Sequence, residues 1–373
     1  MNVLVVGSGL SGSTVARILA ENGCSVQLID KKSHVAGNAF DTLTQQGERY
    51  HKYGPHLLHG SIDSIAIKFL SRFTKWTSYR HTVKALLPDG SYVDMPVNMK
   101  TVEDIYGIIL NSSLKMKEFM STVTAPVPEV DNLEQLVAST FGKYISDILY
   151  RPYNLKMWGK QLHEIPAAVG ARLPIKYNRD EGYFSDNFQA LPSRGYTSMV
   201  QSMLDHPNIQ INLNCSFTLS MVSNYDYVFN SSAIDETFNN RFGPLPYRSI
   251  KFENKFESND LPAATVNFTL QPKYTRKTCW SLLPNSPLYL QKSPSSLVTY
   301  EVPCDPSENY DEKYYPVTTP EAKERYNQYT SLLSDDYSKM QFIGRCGTFQ
   351  YLDMVPAVTQ AMMTARKFLN QNT

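Results

Sequence analysis

The fold class predicted from the sequence is α/β, a discontinuous Rossmann-like domain carrying a helical insert and an antiparallel sheet domain. Three observations predict it. First, the apolar run "NVLVV" is broken by "GSGLSG", followed by the helical period of "STVARILAENG" and then by a second apolar run, "SVQLID". Second, apolar residues recur at helical spacing from about Val97 to Gly159, in "VEDIYGIILNS", "LEQLVASTFG" and "YISDILY". Third, from about Tyr247 to Tyr315 the pattern changes to short alternating runs such as "AATVNFTL" and "LVTYEV", rich in aromatics and proline.

In chain order, Gly7-x-Gly9-x-x-Gly12 sits between the first strand and the first helix, and Asp30 stands about twenty residues on, at the end of the second strand. This is the dinucleotide fingerprint in its confirming context. Glycines let the backbone approach a pyrophosphate at a helix N-terminus, and the acid accepts from a ribose hydroxyl. Lys31 follows that acid and is assigned to the cofactor with it. The loop "KKSHVAGNAFD" adds Gly37 and Asn38, a second close backbone approach that favours FAD over NAD. The tail "FIGRCGTFQYLDMVPAVTQAM" reads strand, loop, helix, and its helix start can turn partial positive charge toward a flavin. With the first strand and the closing helix some 300 residues apart, the cofactor domain must be discontinuous. Its expected segments are 1–80, 188–245 and 317–373. The helical insert is expected at 97–160, and the sheet domain at 81–96, 161–187 and 246–316.

A chain of 373 residues exceeds the roughly 250 to 300 that one core sustains, which implies more than one domain. With 36 basic and 35 acidic residues and no long run of either sign, no nucleic-acid partner is expected. Any anionic ligand must be met by a few placed cations. The five cysteines are scattered, without a CxxC, so neither a disulfide framework nor a cysteine zinc site is expected, and a reducing cytoplasm is the natural setting. The N-terminus reads as a buried strand rather than a signal peptide, and no stretch nears the ~20 apolar residues that span a bilayer. "YGPHLLH" places His56 and His59 three apart. A metal pair there would want a third ligand nearby, and none is visible, so no metal is expected; acid/base work and a turn that lays an imidazole on something flat stay open.

Read together in order, the cofactor loop, "YGPHLLH", "WGKQLHEIPAAVGARLP", "NRDEGYFSDNFQALPSRGYTSM" and "GRCGTFQYLDM" resemble the UDP-galactopyranose mutase family from the first strand to the last helix. The resemblance implies FAD that is active when reduced, primed by NAD(P)H or another reductant, and a homodimer. It implies ring contraction of a nucleotide-diphosphate hexopyranose to its furanose, for supply of a cell-surface polysaccharide precursor. Reduced flavin N5 attacks the anomeric carbon, the diphosphate leaves, and the 4-hydroxyl closes the new ring. It places Arg172 and Arg276 on the diphosphate, where guanidinium forks match phosphate oxygens. Tyr150, Tyr153, Asn154, Trp158, Tyr183, Tyr315 and Tyr351 fall around nucleotide and sugar. His59 lies against the flavin, His56 holds the turn or touches the cofactor, and Arg345, Asp353 and Met354 flank the flavin. Segment 166–176, with Arg172, is implied to be a lid. Leu149, Asn154, Phe349 and Gln350 depart from the family pattern, which leaves thymidine-diphosphate fucose and UDP-N-acetylgalactosamine as alternatives to UDP-galactose. Other classes compatible with the fingerprint are an amine-oxidase-type flavin oxidoreductase and a non-catalytic FAD-binding protein; neither accounts for two phosphate-reading arginines.

Overall fold

The computed structural model describes residues 1–167, 170, 174–334 and 337–372. The chain separates into two compact units, one of 1–79, 186–247 and 311–373 and one of 80–185 and 248–310.

The first unit is built on a five-stranded parallel sheet. β1 (Asn2–Val6) lies at its centre, between β2 (Ser25–Asp30) and Tyr227–Asn230; Ile209–Leu213 and Met340–Phe342 form the edges. Val3, Leu4 and Val5 are at most 1% exposed, as a parallel strand covered on both faces requires, and this is why "NVLVV" does not alternate. Helix α1 (Leu10–Glu21) is buried along most of its length, a position open to it because Gly12, Ser13, Thr14 and Ala16 are small. The C-terminal helix Met354–Asn372 packs on α1 and buries Val358, Ala361, Met362, Ala365 and Phe368, one face at i, i+3, i+4, i+7 and i+10, with Phe368 against Tyr227 and Phe229. A smaller antiparallel sheet sets Phe188–Pro192 between Leu58–Gly60 and Trp76–Ser78.

In the second unit six strands follow one another in the order Tyr247–Ser258, Ser295–Cys304, Arg276–Cys279, Thr265–Phe268, Val83–Leu86 and Tyr92–Met95. All neighbours are antiparallel except Thr265–Phe268 with Val83–Leu86, two segments distant in sequence that meet in parallel. Helices Met99–Tyr106, Ser113–Val123, Leu133–Ile145 and Arg151–Trp158 belong to the same unit. Between the last two, Ser146–Tyr150 forms a π turn. Pro152 lacks the N–H that the α ladder would use there, and Gly142 has already left helical geometry at φ 75°. The turn re-aims the helix that carries the aromatic cluster described below.

Candidate functional site

The glycine loop is shaped by steric necessity. Gly7 has φ +95°, and a Cβ on it would stand 2.0 Å from Ser231 Oγ. A Cβ on Gly12 would lie 1.9 Å from the Gly7 carbonyl oxygen, so only glycine lets α1 close on the strand. The second loop comes up against the first: Ala36 N–H donates to Ser8 O at 3.0 Å, and a Cβ on Gly37 would be 2.9 Å from the Gly9 Cα. Gly9 precedes α1, and no side chain caps the helix start, so its N–H groups are presented to an anion. Asp30 is 7% exposed. Its Oδ2 accepts from Ser8 N–H (2.7 Å) and Ser8 Oγ (2.6 Å), and its Oδ1 from Lys32 N–H (2.9 Å). The carboxylate thus braces the glycine loop against the end of the second strand. Lys31 is exposed, and Asn38 accepts from Lys32 Nζ at 3.3 Å. A cradle that Cβ atoms would fill, an uncapped helix start and an acid ending the second strand fit a dinucleotide.

The histidines separate into two kinds. His51, 1% exposed, accepts from His56 N–H at 2.9 Å through Nδ1, and His56 Nδ1 lies 2.9 Å from Gly54 O. These rings hold the turn. Burial pulls His51 down to about 3 and His56 to about 4, against an ordinary value of 6.5. Between those values and 6.5 the unfolded chain binds more protons than the folded one, so stability is expected to fall with pH from about 6.5 toward about 4, by a few kcal/mol. Denaturation midpoints measured over that range check this; a His56→Gln variant should show a shallower slope, and a flat wild-type profile would contradict the assignment.

His59 is different. It sits in the strand Leu58–Gly60 opposite Gln189, and its Nδ1 is 2.7 Å from Asp186 Oδ2. The carboxylate accepts, which places a hydrogen on Nδ1 and fixes the ring's orientation. Asp186 escapes sequence reasoning because 127 positions separate it from His59; the only signal was its place in "YFSDNFQ", immediately before the partner strand.

The tail brings its loop to the start of α1. Gly344 has φ +71°, and a Cβ there would approach Ser11 Oγ at 3.0 Å. Arg345 donates from Nε to Leu352 O at 2.9 Å and from Nη1 to Tyr314 O at 3.3 Å, which ties segments 314–315 and 351–353 together. Its guanidinium lies 5.0 Å from the Tyr315 ring centroid and 5.2 Å from that of Tyr351, and the two rings stack 5.7 Å apart at 13°. Asp353 and Met354 open the C-terminal helix, with Ala357 N–H bonded to Asp353 O at 3.0 Å. All the cofactor candidates, together with His59, Tyr315 and Tyr351, therefore lie in the first unit.

The second unit carries the remaining candidates. Arg276 is held among neighbours on its own sheet and on the Tyr153 helix: Nε donates to Asn267 Oδ1 (3.3 Å), Nη2 to Tyr153 Oη (3.4 Å), and Nη1 stands 3.7 Å from Glu301 Oε1. Lys156, one turn after Tyr153, donates to the carbonyls of Phe268 (2.8 Å), Gln271 (2.6 Å) and Tyr274 (2.8 Å), pinning the hairpin that leads into Arg276 against the Tyr153 helix. Burial lowers its pKa to about 8. Tyr150 stacks on Phe141 with centroids 4.4 Å apart, and its buried hydroxyl has no hydrogen-bond partner among the described residues. An unpaired buried hydroxyl costs about 1–3 kcal/mol, which a ligand oxygen would relieve. Burial, and secondarily Tyr183, keep that phenol well above its ordinary pKa. Tyr183 is held by a bond from its N–H to His81 O at 2.7 Å. Asn154 turns its amide to Tyr150 O at 2.9 Å, Trp158 is 7% exposed, and Leu149, at 2%, is packed inside the unit. Arg172 and most of the segment 168–173 lie outside the described residues. Among the described residues no group of three or more His, Cys, Asp or Glu is placed to hold a metal ion, and no helix is long and apolar enough to cross a membrane.

Residues 5–73 match the family model described as an NAD(P)-binding Rossmann-like domain, and residues 148–351 the one described as UDP-galactopyranose mutase. A probable UDP-galactopyranose mutase of Klebsiella pneumoniae is 30% identical over 372 residues, covering 99% of this chain and 95% of the relative. A dTDP-fucopyranose mutase of Escherichia coli is 31% identical over 386 residues, covering 99% of each chain. The crystal structure of a reduced UDP-galactopyranose mutase superposes with a TM-score of 0.77 at 16% identity, covering 99% of this chain and 94% of that one, and so shares the fold. The chain belongs to the UDP-galactopyranose mutase family: it is an isomerase acting on a nucleotide-linked pyranose, with FAD as its dinucleotide cofactor.

Proposed function

We propose that the chain converts UDP-galactopyranose to UDP-galactofuranose, supplying a furanose precursor for cell-surface polysaccharide, in the cytoplasm and as a homodimer. The observation that carries this reading is the pairing of Arg276 with Tyr153 in a unit whose partner domain is an FAD cradle. Bound and reduced, FAD supplies the nucleophilic nitrogen for exchange at the anomeric carbon. The chain's own residues then have three tasks. Gly7, Gly9, Gly12, Gly37, Asn38, Asp30 and Lys31 grip the dinucleotide. His59, oriented by Asp186, lies at the flavin edge, with Arg345, Asp353 and Met354 on the tail side. Arg276 and Arg172 hold the diphosphate while it is detached from the sugar, with Tyr150, Tyr153, Tyr183, Tyr315 and Tyr351 donating hydroxyls and ring surface, and Trp158 and Asn154 contributing to the sugar and base walls.

A second reading, the same chemistry on dTDP-fucopyranose, is favoured by the Escherichia coli relative of that name. The arginines read phosphates common to both sugars and do not discriminate. Reduced enzyme incubated in parallel with UDP-galactose, UDP-N-acetylgalactosamine and dTDP-fucose, with furanose product scored for each, decides. UDP-galactose is expected to turn over fastest; equal or faster turnover of the thymidine sugar reverses the assignment and leaves the chemistry standing.

A further inference from the structure

Glu301 lies in the strand Ser295–Cys304, and the registers of the sheet place it in one cross-strand row with Arg276 and Asn267 on one side and Phe252 on the other. Members of such a row share a face. Glu301 is 5% exposed, and among the described residues its Oε1 has no hydrogen-bond partner and its ion-pair partner is Arg276, at 3.7 Å, too long for a hydrogen bond. A carboxylate so placed is costly unless a charge compensates it. Burial pushes its pKa up, and Arg276 pulls it back. The other ionisable groups that approach this side include Tyr153, which accepts from Arg276, Lys156, whose ammonium donates to three backbone carbonyls, and Arg248, on the same strand face as Phe252, which donates to Met157 O at 2.9 Å and pairs with Asp305.

We propose that Glu301 is the resident counter-charge of Arg276 and that the nucleotide diphosphate takes its place, so that substrate binding is coupled to uptake of a proton by the Glu301 carboxylate. The inference rests on the reading that Arg276 binds the diphosphate. The physical reason is direct. A guanidinium that turns its field onto phosphate oxygens stops compensating the buried carboxylate behind it, and the phosphate itself adds like charge a few ångströms away. The carboxylate relieves both by taking a proton from solvent: the ligand's negative charge replaces that of Glu301, and the net charge around Arg276 stays balanced. The neutral acid so formed can donate to a neighbouring oxygen, which the carboxylate cannot. Glu301 is thereby a positioning residue that keeps Arg276 extended before substrate arrives and withdraws its charge afterwards.

The test is calorimetric titration of the oxidised holoenzyme, which binds without turning over, with UDP-galactose, whose diphosphate diester does not itself titrate near neutrality. Run in two buffers of different ionisation enthalpy from about pH 5 to about pH 9, it reads the protons taken up on binding. The wild type is expected to show a maximum of roughly 0.5 to 1 proton in that range. Glu301→Gln, isosteric with the protonated acid, is expected to lose that uptake and to bind as tightly or up to about tenfold tighter, because the competing charge is gone. Infrared difference spectra of the wild type provide a measurement that needs no variant: a protonated-carboxyl band should grow on binding. Uptake below about 0.1 proton at every pH, or uptake persisting in Glu301→Gln, overturns the proposal. Unchanged affinity for UDP-galactose in Arg276→Ala would instead overturn the reading on which it rests.

Discussion

Replacing Arg276 by alanine is expected to lower kcat/KM by about a hundred- to a thousandfold while leaving bound FAD at the wild-type level. The guanidinium is oriented by Asn267 and Tyr153 and backed by Glu301, so its fork is set before a diphosphate arrives. Each charge-assisted bond to phosphate that is lost costs about 1.5–3 kcal/mol, and a fork makes two. Arg276→Lys should recover only part of the loss, since a single ammonium cannot reproduce two parallel bonds in one plane. FAD is unaffected because every residue of the dinucleotide cradle belongs to the other unit. Steady-state kinetics with the substrate, alongside flavin absorbance of the purified variant, check both halves; loss of less than about fivefold would remove Arg276 from the diphosphate site.

Replacing His59 by alanine is expected to leave the flavin in place and reduce kcat by roughly tenfold or more with KM little changed, since the ring is assigned to the reacting edge of the cofactor and not to its retention. The geometry adds a sharper expectation. Asp186 holds His59 at 2.7 Å, so Asp186→Ala should lose much of the same activity, and the double variant should lose scarcely more than His59→Ala alone. Additive losses would mean that the carboxylate serves the site independently of the ring. Loss of flavin with normal turnover per bound flavin would instead move His59 into cofactor binding.

The dinucleotide half of the chain was legible because its information is local. Strand, glycine loop, helix and acid occupy thirty consecutive residues, and each glycine is required by a contact made inside that span or just beside it, as Gly12 against the Gly7 carbonyl illustrates. Helical periodicity between Val97 and Gly159 was likewise visible, although not the π turn at Ser146–Tyr150, which arises from the meeting of Gly142 and Pro152 rather than from any periodic signal. The sheet segment was readable as strands but not as an order of strands.

Composition and spacing by themselves determined the α/β class, the discontinuous layout and the dinucleotide. Side-chain type within recognisable blocks determined which arginines and tyrosines to suspect. Tertiary structure alone decided which group stands behind each of them: Asp186 behind His59, Asn267 and Glu301 beside Arg276, and Lys156 clamping the hairpin to the Tyr153 helix. The physical reason is that a strand's partner is chosen by the burial of a whole face and by the register of its backbone hydrogen bonds. A one-residue slip between Arg276–Cys279 and Ser295–Cys304 would turn Glu301 to the opposite side of the sheet without altering a single local propensity.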